Sequence, residues 1–220
     1  MTRVLLAWSS GKDSAWTLEV LRRDASVQVA GLLTTVDEES GRVAMHRVRD
    51  QLLEAQARAA GLPLQRVPLP WPCPNDEYER RMAAALVRAR ADGITHVAFG
   101  DLFLADIRAY REERLVGTGI TPLFPLWGRA TDALAREMIA GGLRATLTCV
   151  DPRQLDRRFA GRGFDAELLA QLPPGVDPCG ERGEFHTFCH AGPMFAAPIP
   201  VRLGCTVDRD GFTYADLVGS

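Results

Sequence analysis

Val4-Leu5-Leu6-Ala7-Trp8-Ser9-Ser10-Gly11-Lys12-Asp13-Ser14 is the stretch that decides how this chain reads. Residues 4–8 are a continuous apolar run, as expected of a strand buried on both faces. Small residues follow, and the segment from Ala15 to Arg23 has helical character. A strand that enters a small-residue loop and then a helix leaves backbone N–H groups unpaired at the positive end of a helix dipole. Such a corner suits a phosphate group. Lys12 adds a mobile cation, expected to be exposed in the loop, and Ser9, Ser10 and Ser14 add hydroxyl donors. A Walker A loop is excluded, because Leu6 stands where its first Gly belongs and Asp13 follows Lys12 in place of Ser or Thr. The dinucleotide fingerprint is excluded because the loop has one Gly. The plain alternative is a strand–turn–helix corner capped by Asp13 or Ser14.

Outward from this loop, strand-like and helix-like segments alternate. Trp16, Leu18, Val20 and Leu21 give the segment after the loop an apolar face. Residues 27–36 read as a second strand, followed by a polar turn at residues 37–41. Val48, Leu52, Ala55 and Ala59 recur at helical spacing, with a stop at Gly61 and Pro63. Residues 64–69 are a third strand, and Pro70, Pro72 and Pro74 make a stiff connector. Asp76 reads as the N-cap of a long helix whose buried face is Tyr78, Met82, Leu86 and Ala89. Residues 96–99 are a fourth strand ending in Gly100-Asp101. This order predicts a parallel sheet with helices on both faces. Ligands of such sheets bind at the carboxyl ends of the strands, so the loop, Leu33-Thr34-Thr35 and Gly100-Asp101 should converge.

Beyond residue 115 the pattern changes. Residues 121–128 are rich in Pro and aromatics, residues 131–142 read as a helix ended by Gly141-Gly142, and residues 143–150 as a strand. Residues 151–172 read as two short helices around Gly161-Arg162-Gly163. The expected class is α/β, a Rossmann-like parallel sheet with helices on both faces plus a smaller C-terminal α+β region. The division falls into residues 1–127, which bind nucleotide, and residues 128–220, which bind the substrate.

The 220 residues are 46% hydrophobic and 25% charged, with a net charge of −2. That balance fits an ordinary globular protein and supplies no drive toward nucleic acid. The basic run Arg153, Arg157, Arg158 and Arg162 reads as a solvated face. Five widely spaced cysteines with no C-x-x-C pair, and no signal or membrane-length apolar segment, point to the reducing cytoplasm. Cys179, His186, Cys189 and His190 match no common zinc spacing.

A second constellation lies at Asp177-Pro178-Cys179-Gly180-Glu181-Arg182-Gly183-Glu184-Phe185-His186-Thr187-Phe188. It reads as a loop. Its two Gly residues allow close approach to a ligand, and Glu181, Glu184, His186 and Thr187 bring acid, base and hydrogen-bonding groups. Taken alone it is equally a Gly-rich turn with solvated acids.

The residue 9–14 loop resembles the S-G-G-x-D-S loop of the PP-loop ATP pyrophosphatases, with Ser10 in place of the first Gly. Residues 180–187 are similar to the G-E-x-G-E-F-x-T stretch of the diphthine–ammonia ligase family within that superfamily. Met45-His46 with Arg47 and Arg49, the segment from Phe99-Gly100-Asp101 to Arg114, and Pro122-Leu123-Phe124-Pro125-Leu126-Trp127 match further segments of that family in the same order. The Ala- and Arg-rich composition is that expected of a bacterial member. One departure falls in the loop after the fourth strand, where Leu104, Ile107 and Arg108 stand at positions that eukaryotic and archaeal members fill with Ser and a Gln-Arg pair.

The resemblance implies a HUP-type fold and an ATP-dependent enzyme that adenylates a carboxylate, releases pyrophosphate and forms an amide with ammonia. It implies ATP and Mg²⁺ as cofactors. Nucleotide contacts fall on Ser9, Ser10, Gly11, Lys12, Asp13, Ser14, Leu33, Thr34, Thr35, Met45, His46, Gly100 and Asp101, with Asp13 helping to hold the metal. Acceptor contacts fall on Arg108, Trp127, Gly180, Glu181, Gly183, Glu184 and Thr187. Lys12, Asp13, Glu181, Glu184 and His186 carry the chemistry. The partners are ATP, ammonia and a small-molecule or protein-bound carboxylate. Neither tRNA nor a membrane is expected, and a homodimer is left open as the assembly. Two alternatives stand beside this reading: a PP-loop tRNA sulfur transferase using Cys73 or Cys179, and a nucleotide sensor that binds without turnover.

Overall fold

The computed structural model describes residues 1–43 and 47–219. Strands β1 (Thr2–Ala7), β2 (Val27–Asp37), β3 (Leu64–Leu69), β4 (His96–Ala98) and β5 (Thr121–Leu123) form a parallel sheet of order β3-β2-β1-β4-β5. Helices α1 (Lys12–Arg22), α2 (Asp50–Ala60), α3 (Asn75–Ala91) and α4 (Ala105–Leu115) connect successive strands. Side chains alternate across the sheet, as a two-residue period requires. Val4 and Leu6 join α1 and α2 in one apolar cluster, while Leu5 joins Leu86 and Ala89 of α3 and Leu115 of α4 in the other. The protein is therefore α/β and Rossmann-like, with helices on both faces.

The remaining elements are α5 (Thr131–Ala140), β6 (Arg144–Val150), α6 (Ala166–Gln171), β7 (Phe185–Ala191), β8 (Val201–Arg209) and β9 (Phe212–Gly219). Strands β6 to β9 make an antiparallel sheet of order β7-β6-β9-β8. The cluster that holds α1 and α2 also holds Leu134 and Met138 of α5, Leu147 of β6 and Phe188 of β7. Trp16 of α1 donates to Glu137 of α5 at 3.1 Å, so α1 lies between the two sheets.

Several expectations are corrected. Helix α1 starts at Lys12 rather than Ala15, because Gly11 takes the extended cap position and Asp13 suits the positive first turn. Asp76 lies inside α3, whose N-cap is Pro74 without a side-chain cap. The buried face of α2 is Leu52, Leu53, Gln56, Ala57 and Ala60, rotated from the stripe read in the sequence. Strand β5 went unread, since its three residues include Pro122 and sit at an edge that tolerates it. The region 151–172 holds a 3₁₀ turn, Arg157–Phe159, and one helix instead of two helices. Residues 185–188, read as loop, begin strand β7. The basic run, by contrast, is the solvated face expected: Arg153 and Arg157 are exposed while they pair with Asp151 and Asp208.

Candidate active site

The loop between β1 and α1 is held from the second sheet. Gly11 has no side-chain cap to offer α1. Thr187 of β7 supplies the missing acceptor, its Oγ1 taking the Lys12 N–H at 3.1 Å. The Ser10 carbonyl accepts from the Cys189 amide of β7 and from Gln56 Nε2, each at 2.9 Å. Gln56, fully buried on α2, also donates to the Cys189 carbonyl at 2.7 Å and accepts from Trp8 Nε1 at 2.9 Å. Within the loop Ser9 Oγ accepts the Gly11 amide at 3.3 Å, and Ser14 Oγ donates to the Gly11 carbonyl at 3.0 Å. Ser10 sits at φ 71°, a left-handed backbone where Gly is at ease and a side chain is strained.

Lys12 is not the exposed cation expected from the sequence. Its side chain is 2% exposed, because a segment far away in the chain covers it. Nζ donates to both Asp13 oxygens, at 3.0 and 2.8 Å, and to the Cys179 carbonyl. The Phe164 and Phe185 rings flank it, each centroid at 5.5 Å. Burial pulls the ammonium pKa down, but Asp13, then Cys179 and Glu181, outweigh it and leave it above the ordinary lysine value. Lys12 is thus a fixed, permanently charged anchor.

A cleft of 1190 Å³ opens at the carboxyl ends of β1, β2 and β4. Ser9, Lys12, Asp13 and Ser14 line it from the loop, Leu33, Thr34 and Thr35 from β2, and Gly100 and Asp101 from β4. The turn before β7 adds Gly180 and Glu181, β7 adds His186 and Thr187, and residues of α3 and α4 complete the wall. Gly100 is needed for this closeness: a Cβ there would lie 3.1 Å from the Asp13 carbonyl carbon and the Ser14 nitrogen. The Thr34 hydroxyl is buried and has no hydrogen-bond partner among the described residues.

Not every candidate residue meets the cleft. Ser10 and Gly11 shape the loop from behind, and Gly183, Arg108 and Trp127 do not line the cleft. Arg108 stacks between Phe124 and Trp127, 4.8 Å from each ring, and pairs with Glu112. Glu184 is buried and accepts the Asp177 and Arg182 amides, each at 2.9 Å, which folds its own loop. Gly180 turns that loop at φ 68°, where a Cβ would meet the Phe185 carbonyl at 2.8 Å. Met45 and His46 lie outside the described residues.

Glu181 joins the two halves of the site. Its Oε1 accepts the Leu102 amide at 2.7 Å and the Phe103 amide at 3.4 Å, in the loop after β4. Burial raises its pKa to about 7, with Asp13 and Asp101 adding to the rise and the two amides opposing it. Asp101 is held by Arg111 at 2.7 Å, whose guanidinium stacks on Phe99. Burial and the Lys12 charge lower His186 to about 4, so its imidazole is neutral at neutral pH. Cys179 is buried, and burial pushes its thiol up to about 12, which disfavours the thiolate that sulfur transfer needs. Cys73 does not line the cleft. Among the described residues no group of three or more His, Cys, Asp or Glu is arranged to hold a metal.

The sequence reading missed Gln56, Trp8, Arg111 and the Cys179 carbonyl. Only Gln56 carried a signal: a polar residue inside the apolar face of α2. The others act through main chain or through partners distant in sequence.

Fold and site together define an α/β protein whose phosphate-type loop, at the carboxyl end of a parallel sheet, is completed by a second, antiparallel sheet. Residues 130–211 match the family described as Diphthamide synthase C-terminal domain. Over 97% of its length the chain is 29% identical to the diphthine–ammonia ligase of Danio rerio, covering 91% of that protein. It is 27% identical to that of Bos taurus, again over 97% of the chain and 88% of the relative. A shorter match, 32% identical over 59% of the chain and 50% of the relative, joins it to the diphthine–ammonia ligase of Rattus norvegicus. The chain is thus similar to diphthine–ammonia ligases over nearly its whole length.

Proposed function

We propose that this protein is an ATP-dependent ligase that activates a carboxylate with release of pyrophosphate and converts it, with ammonia, to an amide. The observation that carries this reading is the interlock of the two motifs. Residues 9–14 and 180–187 lie far apart in sequence, yet Lys12 bonds Thr187 and Cys179 within one cleft.

The residues fit a nucleotide. The unpartnered Thr34 hydroxyl awaits a polar group beside Leu33, and Lys12, Asp13 and Ser14 bring the positive N-terminal turn of α1 to the cleft wall, where a phosphate is favoured. Lys12, pre-ordered and charged, stabilises negative charge that develops on phosphate oxygens, so its contribution is electrostatic and positional. Mg²⁺ fits as an ion carried on the phosphates with Asp13 as one protein ligand, since it needs only one or two carboxylates there. It would neutralise phosphate charge. Glu184 keeps the loop in shape, and Arg108 stacks on Trp127 outside the cleft lining. The neutral His186 accepts or donates one hydrogen bond to an incoming group.

Diphthine is the acceptor in the relatives' name and is the first to assay here. Five free cysteines suit a reducing compartment, and we place the protein in the cytoplasm. No helix among the described residues is long and apolar enough to cross a membrane. The test incubates the protein with ATP, Mg²⁺, ammonium and a diphthine-bearing peptide and follows the nucleotide products. AMP and pyrophosphate that require both acceptor and ammonium support the reading. ADP and phosphate, or nucleotide retention without turnover, reject it.

A further inference from the structure

Three carboxylates reach the polar end of the cleft: Asp13, Asp101 and Glu181. Lys12 holds the first and Arg111 the second. Glu181 forms no ion pair among the described residues. Its Oε1 takes the Leu102 and Phe103 amides, which fixes the carboxyl plane, while its Oε2 makes no hydrogen bond among them. One carboxyl oxygen is therefore pinned and the other is presented to whatever enters. Of the remaining neighbours, Lys12 is already engaged, His186 is neutral and the Cys179 thiol is protonated. When ionised, Glu181 has no cationic partner among the described residues, and its open oxygen attracts a small cation.

Resting on the ligase reading above, we propose that Glu181 takes a proton from ammonium and so generates the amine nucleophile beside the activated carboxyl. An N–H bond of ammonium breaks, its electron pair stays on nitrogen, and an O–H bond forms at Glu181 Oε2. The nitrogen then bonds to the acyl carbon as the bond to the AMP phosphate oxygen breaks, and AMP leaves with that electron pair. The second proton departs from the new amide nitrogen to solvent. The raised pKa of Glu181 suits this work, because both protonation states are populated near neutral pH. Asp13, Asp101 and Lys12 are the charged groups that face it and set that balance.

The test is Glu181→Gln, whose side-chain oxygen still accepts the Leu102 amide. Pyrophosphate release is measured with ATP and a diphthine-bearing peptide, using either ammonium or hydroxylamine, which is already a free base at neutral pH. Ammonium-dependent kcat should fall about 100-fold or more, and hydroxylamine-dependent kcat far less, with the peptide KM unchanged. The ammonium rate of the variant should track free ammonia as pH rises, while the wild type levels off once Glu181 is ionised. An equal fall with both nucleophiles, or a raised peptide KM with both, overturns the proposal and makes Glu181 an acceptor contact. A wild-type protein that releases no pyrophosphate with either nucleophile removes the ligase reading, and this proposal with it.

Discussion

The Thr187 hydroxyl accepts the backbone N–H of Lys12 at 3.1 Å, so the first helical amide of α1 is capped by a strand of the other sheet. Thr187→Val keeps the shape and β preference of the side chain but leaves that buried donor unpaired. A loss of about 1–3 kcal/mol is expected. Chemical unfolding checks it, and a change under a few tenths of a kcal/mol would mean that another group takes over the cap.

Lys12→Ala removes the anchor and also strands Asp13 beside apolar rings. Breaking a buried pair costs roughly 3–5 kcal/mol, reduced here toward about 2 because Asp13 retains contact with solvent. The single variant should lose both turnover and stability. Lys12→Met combined with Asp13→Asn should recover most of the stability while remaining inactive. Calorimetry beside a pyrophosphate assay separates these effects, and an unchanged Tm in Lys12→Ala would contradict the buried pair.

Ser10→Gly should stabilise the fold. The left-handed backbone at φ 71° strains Ser10, and its buried hydroxyl has no hydrogen-bond partner among the described residues. Relief of both outweighs the added freedom of Gly in the unfolded chain, for a net gain of about 0.5–1 kcal/mol. A loss of stability in urea titration would show that the strain is smaller than the unfolded-state entropy.

Glu181 and His186 drive stability in opposite directions with pH. Folding raises Glu181 from 4.5 to about 7, so its contribution is full below the lower value and is lost as pH climbs to the upper one. Folding lowers His186 from 6.5 to about 4, so its contribution is full above 6.5 and is lost as pH falls. Between these limits the two proton counts nearly cancel. Glu181→Gln removes one side of the balance, so its stability relative to wild type should rise between about pH 5 and about pH 6.5. Unfolding free energies at both pH values test this, and a constant difference would mean that Glu181 titrates normally.

Much of this was legible in the sequence, for local reasons. Third-strand residues 64–69 are bounded by Pro and Gly, and α2 ends at Gly61 with φ 65°, so chain punctuation located both. The loop of residues 9–14 stood out by residue types alone, and it lies between β1 and α1 at the cleft. The burial of Lys12 was not legible, because its cover comes from Cys179 and Phe185, joined to it only by tertiary folding. Strand β7 was hidden by the Gly-rich turn that precedes it. Glu184 turns back on the Asp177 and Arg182 amides, a fold that residue type does not reveal.

The apolar cluster that runs from Val4 and Leu6 through Trp16 to Leu147 and Phe188 makes the two sheets a single mechanical unit. A cut near residue 128 would separate topologies but tear open a shared interior and uncap the loop of residues 9–14. Such a protein is a poor subject for modular exchange. Neither half can be replaced alone, and new surface chemistry must come through side-chain changes around a core that both halves already own.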